Sequence, residues 1–265
     1  MTNKELFRLA LAQSAEDLNC TPDDLTAQDN RLVFSAANDG ARRYLKLPFD
    51  CDLVSYGGNV VASVSPALEE DVRRYLDLYP AGHSYRLFET PSIHLLSDIL
   101  EPRGLKVCFM AEYFLPDVEN LWAMDCSYRM RWLGPEDFRE LYRPEWSNAL
   151  CADRKHLDVL GLGAYDGEDL IGLAACSADC DTMWQIGVDV LPAYRRQGVA
   201  SALTSRLALE ILKLDRVPFY CAAWSNIRSV RNAIRCGFRP AWVELTAKSA
   251  AYVAELNQPE KGGAG

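Results

Sequence analysis

The spacing of apolar and polar residues in the second half of the chain predicts a strand followed by a long helix. Val188 and Val190 alternate with other residues in a stretch that stops at Pro192. Alternating β-branched residues of this kind indicate a strand. From Gly198 onward the apolar positions recur at helical spacing, and these positions are Val199, Leu203, Leu207 and Ile211. The rest of the chain is organised around this strand–turn–helix unit.

The same patterns predict the elements on either side of this unit. Asp166-Gly167 is a favoured hairpin turn between two alternating segments. In the second half we predict a helix starting at 134, a helix over 226–236, and strands over 128–133, 159–165, 170–175, 217–223 and 239–246. In the first half we predict helices over 3–19, 66–79 and 92–102, and strands over 32–36, 44–47, 51–54, 60–64, 85–88 and 105–114.

This order of elements predicts an α/β (α+β) protein with two regions. We place an α/β region at 1–120 and a second domain at 127–250, with a linker at 116–127. The tail at 257–265 is rich in glycine and polar residues, and we expect it to be disordered.

The junction between the strand and the long helix suits a bound diphosphate. Its sequence is Arg195-Arg196-Gln197-Gly198-Val199-Ala200. Gly198 and Ala200 leave the backbone N–H groups bare where the positive end of the helix dipole lies. Two arginines stand beside them, and the alternative for these side chains is a solvated surface turn. Amides with neighbouring cations form a common anion site.

This stretch resembles the acyl-CoA binding motif of the GNAT superfamily of N-acetyltransferases. The residues that fall in the motif's order and spacing are Val190, Pro192, Tyr194, Arg195, Gly198 and Ala200. The order of elements after residue 127 also resembles a complete GNAT domain, which covers close to half the chain. The resemblance implies the GNAT fold, a mixed central sheet flanked by helices.

The resemblance also implies a set of residues that hold acetyl-CoA as co-substrate. The backbones of Val188 and Val190 would pair with the pantetheine, and Arg195 would supply a charge. Ser201 would add a hydroxyl, and the diphosphate would meet the amides of Arg196, Gln197, Gly198, Val199 and Ala200. Asn226 and Ser229 match the family's next helix, where Asn226 would contact the pantetheine or cap the helix.

At the catalytic groups the sequence departs from the family pattern, because many GNAT enzymes carry a tyrosine where this chain has Ala233. The general acid is then water or a side chain such as Tyr220, for which a plain core role is the alternative. Glu145 is our candidate base, with a solvated carboxylate as its alternative, and it would need burial to serve. The candidate acceptor pocket, for which core packing is the alternative, consists of Trp146, Asn148, Trp184 and Trp224.

The amino-acid composition disfavours several classes of binding partner. The net charge of −9 and the sequence pI of about 4.9 disfavour nucleic-acid and anionic-membrane binding. Nine scattered cysteines and three distant histidines suggest neither a disulfide framework nor a metal site. We expect a cytoplasmic protein whose partner is a small-molecule amine, and a homodimer stays open.

The expected function is N-acetyl transfer from acetyl-CoA to a small primary amine, directly within a ternary complex. The alternative is a non-catalytic acyl-CoA-binding protein with a regulatory or scaffold role. The first 120 residues fit either a degenerate GNAT-like half or an unrelated α/β cap. The two-part layout resembles the FR47-like and zwittermicin-resistance-like branches of the superfamily.

Overall fold

The computed structural model describes residues 1–80 and 82–258 of the 265-residue chain. Its α-helices are α1 (Asn3–Leu18), α2 (Glu69–Leu76), α3 (Thr90–Leu100), α4 (Val199–Lys213), α5 (Ile227–Arg235) and α6 (Ala250–Leu256). Its strands are β1 (Arg31–Phe34), β2 (Cys51–Ser55), β3 (Val61–Val64), β4 (Leu105–Pro116), β5 (Arg129–Leu133), β6 (Asp158–Asp166), β7 (Asp169–Ser177), β8 (Met183–Val190), β9 (Val217–Ala223) and β10 (Phe238–Ser249).

The chain divides into two compact units. The first comprises Met1–Ser14, Gly40–Leu45 and Glu112–Ala241, and the second comprises Ala15–Asp39, Lys46–Ala111 and Trp242–Gly265. The domain boundaries drawn from the sequence, 1–120 and 127–250, stay a prediction. Most of the tail predicted at 257–265 lies outside the described residues, which end at 258.

The first unit contains a mixed sheet in the order β9-β8-β7-β6-β5. β8 and β9 are parallel, whereas the other neighbours are antiparallel. The predicted hairpin at Asp166-Gly167 joins β6 to β7. Both α4 and α5 pack on one face of this sheet.

The apolar stripe of α4 explains where the main core of this unit lies. Val199, Leu203, Leu207 and Ile211 are all buried and pack against Ile186 and Ala174 of the sheet. Gly172 of β7 allows the helix start to come close, because a Cβ there would lie 2.8 Å from a methyl carbon of Val199. The first turn of α4 is therefore fixed over the end of β8, since Gly172 is the register partner of Val190.

The second unit has its own sheet and core. β3 pairs with β1 in parallel and with β2 antiparallel, and β2 pairs antiparallel with residues 243–246 of β10. A hairpin turn at Gly57-Gly58 joins β2 to β3. Side chains from α2 and α3 cover one face, and the buried set includes Leu53, Val72, Leu96 and Leu245.

Three sequence-based predictions are wrong. Residues 84–88 form a 3-10 helix rather than a strand, because Ser84 and Leu87 are buried at a spacing of three. Residues 44–47 form no strand, because the backbone around them is taken up by turn contacts such as the Leu45 N–H to the Arg42 carbonyl (2.9 Å). The helix predicted from 134 is only the 3-10 turn Asp137–Glu140.

Candidate functional site

The parallel strands β8 and β9 separate before either of them ends. Their register runs from Met183 opposite Val217 to Ile186 opposite Tyr220 and stops there. β8 nevertheless continues to Val190 and β9 to Ala223. The two strands therefore diverge, and the backbone of the last four residues of β8 has no strand opposite it on the β9 side.

Hydrogen bonds at both ends of β8 show which backbone groups face this gap. The Leu191 N–H donates to Ile171 on the β7 side (2.9 Å), and the Val217 N–H donates to the Thr182 carbonyl on the β9 side (2.8 Å). Because backbone groups alternate along a strand, Val188 and Val190 direct theirs into the gap. The Val190 carbonyl accepts from Arg195 Nε (2.9 Å). The groups left for a ligand are thus the N–H and carbonyl of Val188 and the N–H of Val190.

The loop after β8 ends in an uncapped helix terminus. Gly198 is the N-cap of α4 at φ 82°, and no side chain caps the helix. A Cβ at Gly198 would meet only the Asp125 carbonyl oxygen, at 3.8 Å, so the space in front of the first turn is open. The N–H groups of the first turn point into this space at the positive end of the helix dipole, which is a suitable arrangement for an anion.

The loop is held in place by its neighbours. Gln197 Nε2 donates to the Ala193 carbonyl (3.1 Å), and the Tyr128 hydroxyl donates to Gln197 Oε1 (2.6 Å). Arg196 adopts φ 65°, a left-handed conformation that costs a non-glycine residue about 1 kcal/mol or more. The side chains of Arg195 and Arg196 are both exposed beside the open helix end.

The structure turns Ser201 away from the role predicted for it. Its side chain is buried, and its hydroxyl donates to Asn232 Oδ1 (3.0 Å). Asn232 in turn donates to Thr204 Oγ1 (3.1 Å). The Ser201 hydroxyl therefore ties α4 to α5, and we retain only its backbone N–H for a phosphate contact.

The predicted residues at the start of α5, Asn226 and Ser229, follow the end of β9. Asn226 caps α5 by accepting from the Ser229 N–H (3.3 Å), which confirms the capping role; a pantetheine contact stays a prediction. The Tyr220 and Ser229 hydroxyls are 2.8 Å apart. Burial raises the pKa of Tyr220, although hydrogen bonds to Ser229 and Asn232 lower it in part. Tyr220 thus carries a buried, protonated hydroxyl at the contact between β9 and α5.

The opposite face of β8 is covered by the segment that follows Trp146. The Asn148 carbonyl lies directly over Gly187, where a Cβ would come within 1.8 Å of it. Asp189 accepts from the Asn148 N–H (2.8 Å), Asn148 Nδ2 (2.6 Å) and the Ala149 N–H (3.0 Å). Asp189 therefore fastens this segment to the strand.

The predicted acceptor residues do not form one pocket. Trp184 packs with the cluster under α4, whereas Trp146, 6% exposed, belongs to a separate cluster with Leu173 and Ala175. Alternate residues of β7 enter these two clusters, so the tryptophans lie on opposite faces of the sheet. Trp224 is 62% exposed in the turn after β9. Glu145 is exposed and lacks the burial that a base role was expected to require.

Sequence reasoning missed a row of polar side chains on the face away from α4. Asp158, Ser177 and Gln185 are register partners across β6, β7 and β8. Ser177 donates to Asp179 Oδ1 (2.7 Å), and Asp179 is fully buried. Gln185 Oε1 and Asp179 Oδ2 are buried without a hydrogen-bond partner among the described residues. No sequence signal marks this row, because it is assembled from three strands and a loop.

Residues 116–241 match the family model described as GNAT acetyltransferase. This part of the chain belongs to the GNAT superfamily. The match covers β5 to β9 with α4 and α5, and so includes the divergent strands and the open helix end. The resemblance inferred from the motif is confirmed at the level of the superfamily. The mixed α/β fold is also confirmed. The resemblance to the FR47-like and zwittermicin-resistance-like branches stays a prediction.

The similarity of this chain to individual proteins is low. No curated protein is significantly similar to this chain. Among solved structures, a protein described as of the GNAT family from Novosphingobium aromaticivorans is 18% identical, with a TM-score of 0.45 over 54% of this chain and 66% of its own. A GCN5-related N-acetyltransferase-like protein from Streptococcus suis is 18% identical, with a TM-score of 0.45 over 61% and 68%.

A third solved structure contains a ligand. It is an aminoglycoside N-acetyltransferase in complex with CoA, 20% identical, with a TM-score of 0.35 over 46% of this chain and 93% of that one. The matched region thus spans just under two thirds of the first of these three proteins and most of the last. None of the three TM-scores reaches 0.5, so the assignment rests on the family model.

None of the helices in the described ranges has the length and apolar character needed to cross a membrane. Within the same ranges, no three or more histidine, cysteine, aspartate or glutamate side chains are grouped as a metal would need.

Proposed function

We propose that the protein is an N-acetyltransferase that transfers the acetyl group of acetyl-CoA to a small primary amine, directly within a ternary complex. The observation that carries the proposal is the divergence of β8 and β9 directly before an uncapped helix end. One feature offers strand-like backbone groups and the other offers unpaired amides. Together they match a ligand that has an amide-containing arm attached to a diphosphate.

The residues that would hold the co-substrate follow from this geometry. Val188 and Val190 would bind the pantetheine amides through the backbone groups that face the gap. The diphosphate would bind the N–H groups of Arg196 to Ser201, beside the Arg195 and Arg196 guanidinium groups. Acetyl-CoA supplies an activated acetyl thioester, and binding it in this orientation would place the acetyl end at the inner end of the gap.

Proton transfer at that end would use the side chains that the structure offers there. Tyr220 is the proposed acid, because it belongs to the last strand pair and burial keeps its hydroxyl protonated. Glu145 stays a predicted base without support from its exposed position. The acceptor would approach from the face that carries Gln185, opposite α4.

A second candidate function is an acyl-CoA-binding module without catalysis. The observation that favours it is Ala233, which is fully buried at the helix position where many family members carry a catalytic tyrosine. Gln185 likewise occupies the region where some members have a glutamate. Both functions share the same ligand, so ligand binding is the first test and turnover is the second.

The ligand test is thermal unfolding with acetyl-CoA, with ATP as the control nucleotide. At about 100 times its dissociation constant, a ligand stabilises the folded state by about 2.7 kcal/mol, which we expect to raise Tm by about 5–10 °C. Gly198→Trp should abolish the shift, since the indole would fill the space in front of α4. Gly57→Trp is the matched control, because Gly57 has φ 97°, an open surrounding and an exposed position.

The combined results of the unfolding and acetylation assays distinguish the enzyme from the binding module, and both of these from a protein that does not bind acyl-CoA. A Tm shift with acetyl-CoA and no acetylation of any amine in a broad primary-amine panel would favour the module. A shift that persists in Gly198→Trp would contradict the proposed site. No shift with any acyl-CoA would overturn both candidate functions.

A further inference from the structure

Two buried oxygens near the inner end of the gap have no donor among the described residues. They are Gln185 Oε1 and Asp179 Oδ2. Buried polar atoms in folded proteins are nearly always hydrogen-bonded, and those without a protein partner usually bind an ordered water. Each oxygen therefore calls for a donor other than the described residues, such as a bound water.

Both oxygens flank the same serine. Ser177 Oγ donates to Asp179 Oδ1 (2.7 Å), and Ser177 is the direct register partner of Gln185 on β8. Side chains at directly opposite positions of antiparallel strands have Cβ atoms about 4.5–5.5 Å apart. Both side chains therefore lie next to Ser177, and one water that donates a hydrogen to each oxygen would satisfy both.

The other side of the Gln185 amide is already occupied. Its Nε2 donates to Cys221 Sγ (3.2 Å) on β9, one residue beyond the last strand pair. The amide thus connects the gap between β8 and β9 to the Ser177–Asp179 pair.

We propose that a water bridging Gln185 and Asp179 makes Asp179 the proton acceptor for the amine that enters this face. This inference rests on the proposed function and supplies the base that Glu145 does not. As the amine nitrogen bonds to the acetyl carbon, the C–S bond breaks and the sulfur leaves as thiolate with the bonding pair. The N–H proton passes to the water, and the water passes a proton to Asp179 Oδ2. Gln185 is then a positioning residue.

The surroundings of Asp179 suit this role. Burial raises its pKa to about 6, whereas Arg154, Ser177 and Arg42 lower it and Asp158 raises it further. Arg154 is 3.3 Å from Asp179 Oδ1. The carboxylate is thus ionised at neutral pH, yet it holds a proton far more readily than an exposed aspartate, as a general base requires.

The bridge is tested without turnover by carbon-13 NMR titration of labelled aspartate carboxyl groups, with Asp179→Asn to assign the signal. We expect Asp179 to titrate near pH 6. Gln185→Leu should move this titration upward by more than about 0.5 because the carboxylate loses the water's hydrogen bond. Cys221→Ala is the matched control and should leave it unchanged. An unchanged Asp179 titration in Gln185→Leu would overturn the bridge.

The proton-acceptor role is tested by the pH profile of acetyl transfer to the primary-amine panel. In the wild type, kcat/KM should fall at low pH with a midpoint near that of Asp179. Asp179→Asn should lower kcat/KM about 100-fold and remove this limb, and Gln185→Leu should move the limb to higher pH. A limb that survives in Asp179→Asn would overturn the role. No transfer by the wild type, despite acetyl-CoA binding, would overturn it together with the catalytic form of the proposed function.

Discussion

The two faces of β8 are built in different ways. On the α4 face, the gap, the loop and the open helix end all come from one continuous stretch, Ile186 to Ala200, plus the neighbouring strand. On the other face, Gly187 and Asp189 are covered by Asn148 and Ala149, and Gln185 lies beside Ser177. The first face is local and made largely of backbone, whereas the second depends on side chains that are distant in sequence.

The faces also differ in hydrogen-bonding character. The α4 face offers N–H donors at a helix end with arginines beside them, which suits an anionic ligand. The other face offers acceptors, Gln185 Oε1 and Asp179 Oδ2, whereas the Asp189 carboxylate is already occupied by Asn148 and Ala149. Under the proposed function, donors meet the phosphates and acceptors meet the amine, so the strand separates two substrates of opposite charge.

The largest expected effect comes from disturbing the covered face at Gly187. In Gly187→Ala the new Cβ would lie 1.8 Å from the Asn148 carbonyl oxygen, so backbone must move. We expect a loss of about 3 kcal/mol or more in the free energy of unfolding, measured by urea denaturation. Gly134→Ala, with no atom within 4 Å of the new Cβ, is the control and should change stability by less than about 0.5 kcal/mol. Equal effects of the two substitutions would contradict the close contact.

The buried carboxylate on the same face should make stability depend on pH. Burial raises the pKa of Asp179 from 3.8 to about 6, so the folded state binds this proton more tightly than the unfolded state does. Stability from this group is therefore present at low pH and is lost as pH rises from about 4 to about 6, by about 3 kcal/mol in total. Asp179→Asn should remove this component.

The measurement is the unfolding free energy of both proteins at a series of pH values between 4 and 7. The wild type should lose stability relative to Asp179→Asn as pH increases through this range. A difference that stays constant, or that changes in the opposite direction, would show that Asp179 does not titrate in the folded state as described.

An intermediate effect is expected at the contact that fastens the covering segment. Asp189→Ala removes an acceptor of three hydrogen bonds from Asn148 and Ala149. Hydrogen bonds to a charged group suggest a cost of about 2 kcal/mol. Amide hydrogen exchange at 148 and 149 should accelerate most. Asp153→Ala, at an exposed aspartate, is the control, and equal exchange rates in the two variants would contradict the role of Asp189.

These contrasts explain how much the sequence could predict. The motif around Gly198 located the α4 face because its function depends on backbone conformation and neighbouring residues. The role of Ser201 was misjudged, since only the packing of α5 shows that its hydroxyl donates to Asn232. Trp146 and Trp184 were predicted to share one pocket, although they pack into separate hydrophobic clusters on opposite faces of the sheet. Asp179 carries no motif at all, because its significance comes from burial and from Ser177.

The smallest effect is expected when a side chain that supports the loop between β8 and α4 is changed. Tyr128→Phe removes only the hydroxyl that donates to Gln197 Oε1 (2.6 Å), so we expect a stability change of about 1 kcal/mol or less. Acetyl-CoA affinity, measured by calorimetry, should fall a few-fold, because a freer Gln197 lets the amide groups of the loop move before binding. Tyr165→Phe removes a comparable exposed hydroxyl contact, with Arg131 on the β5–β6 pair, and should leave the affinity unchanged. If both variants bind acetyl-CoA as the wild type does, the loop and the start of α4 keep their backbone conformation without the Tyr128–Gln197 contact. The α4 face would then depend on its backbone alone and not on this side-chain contact.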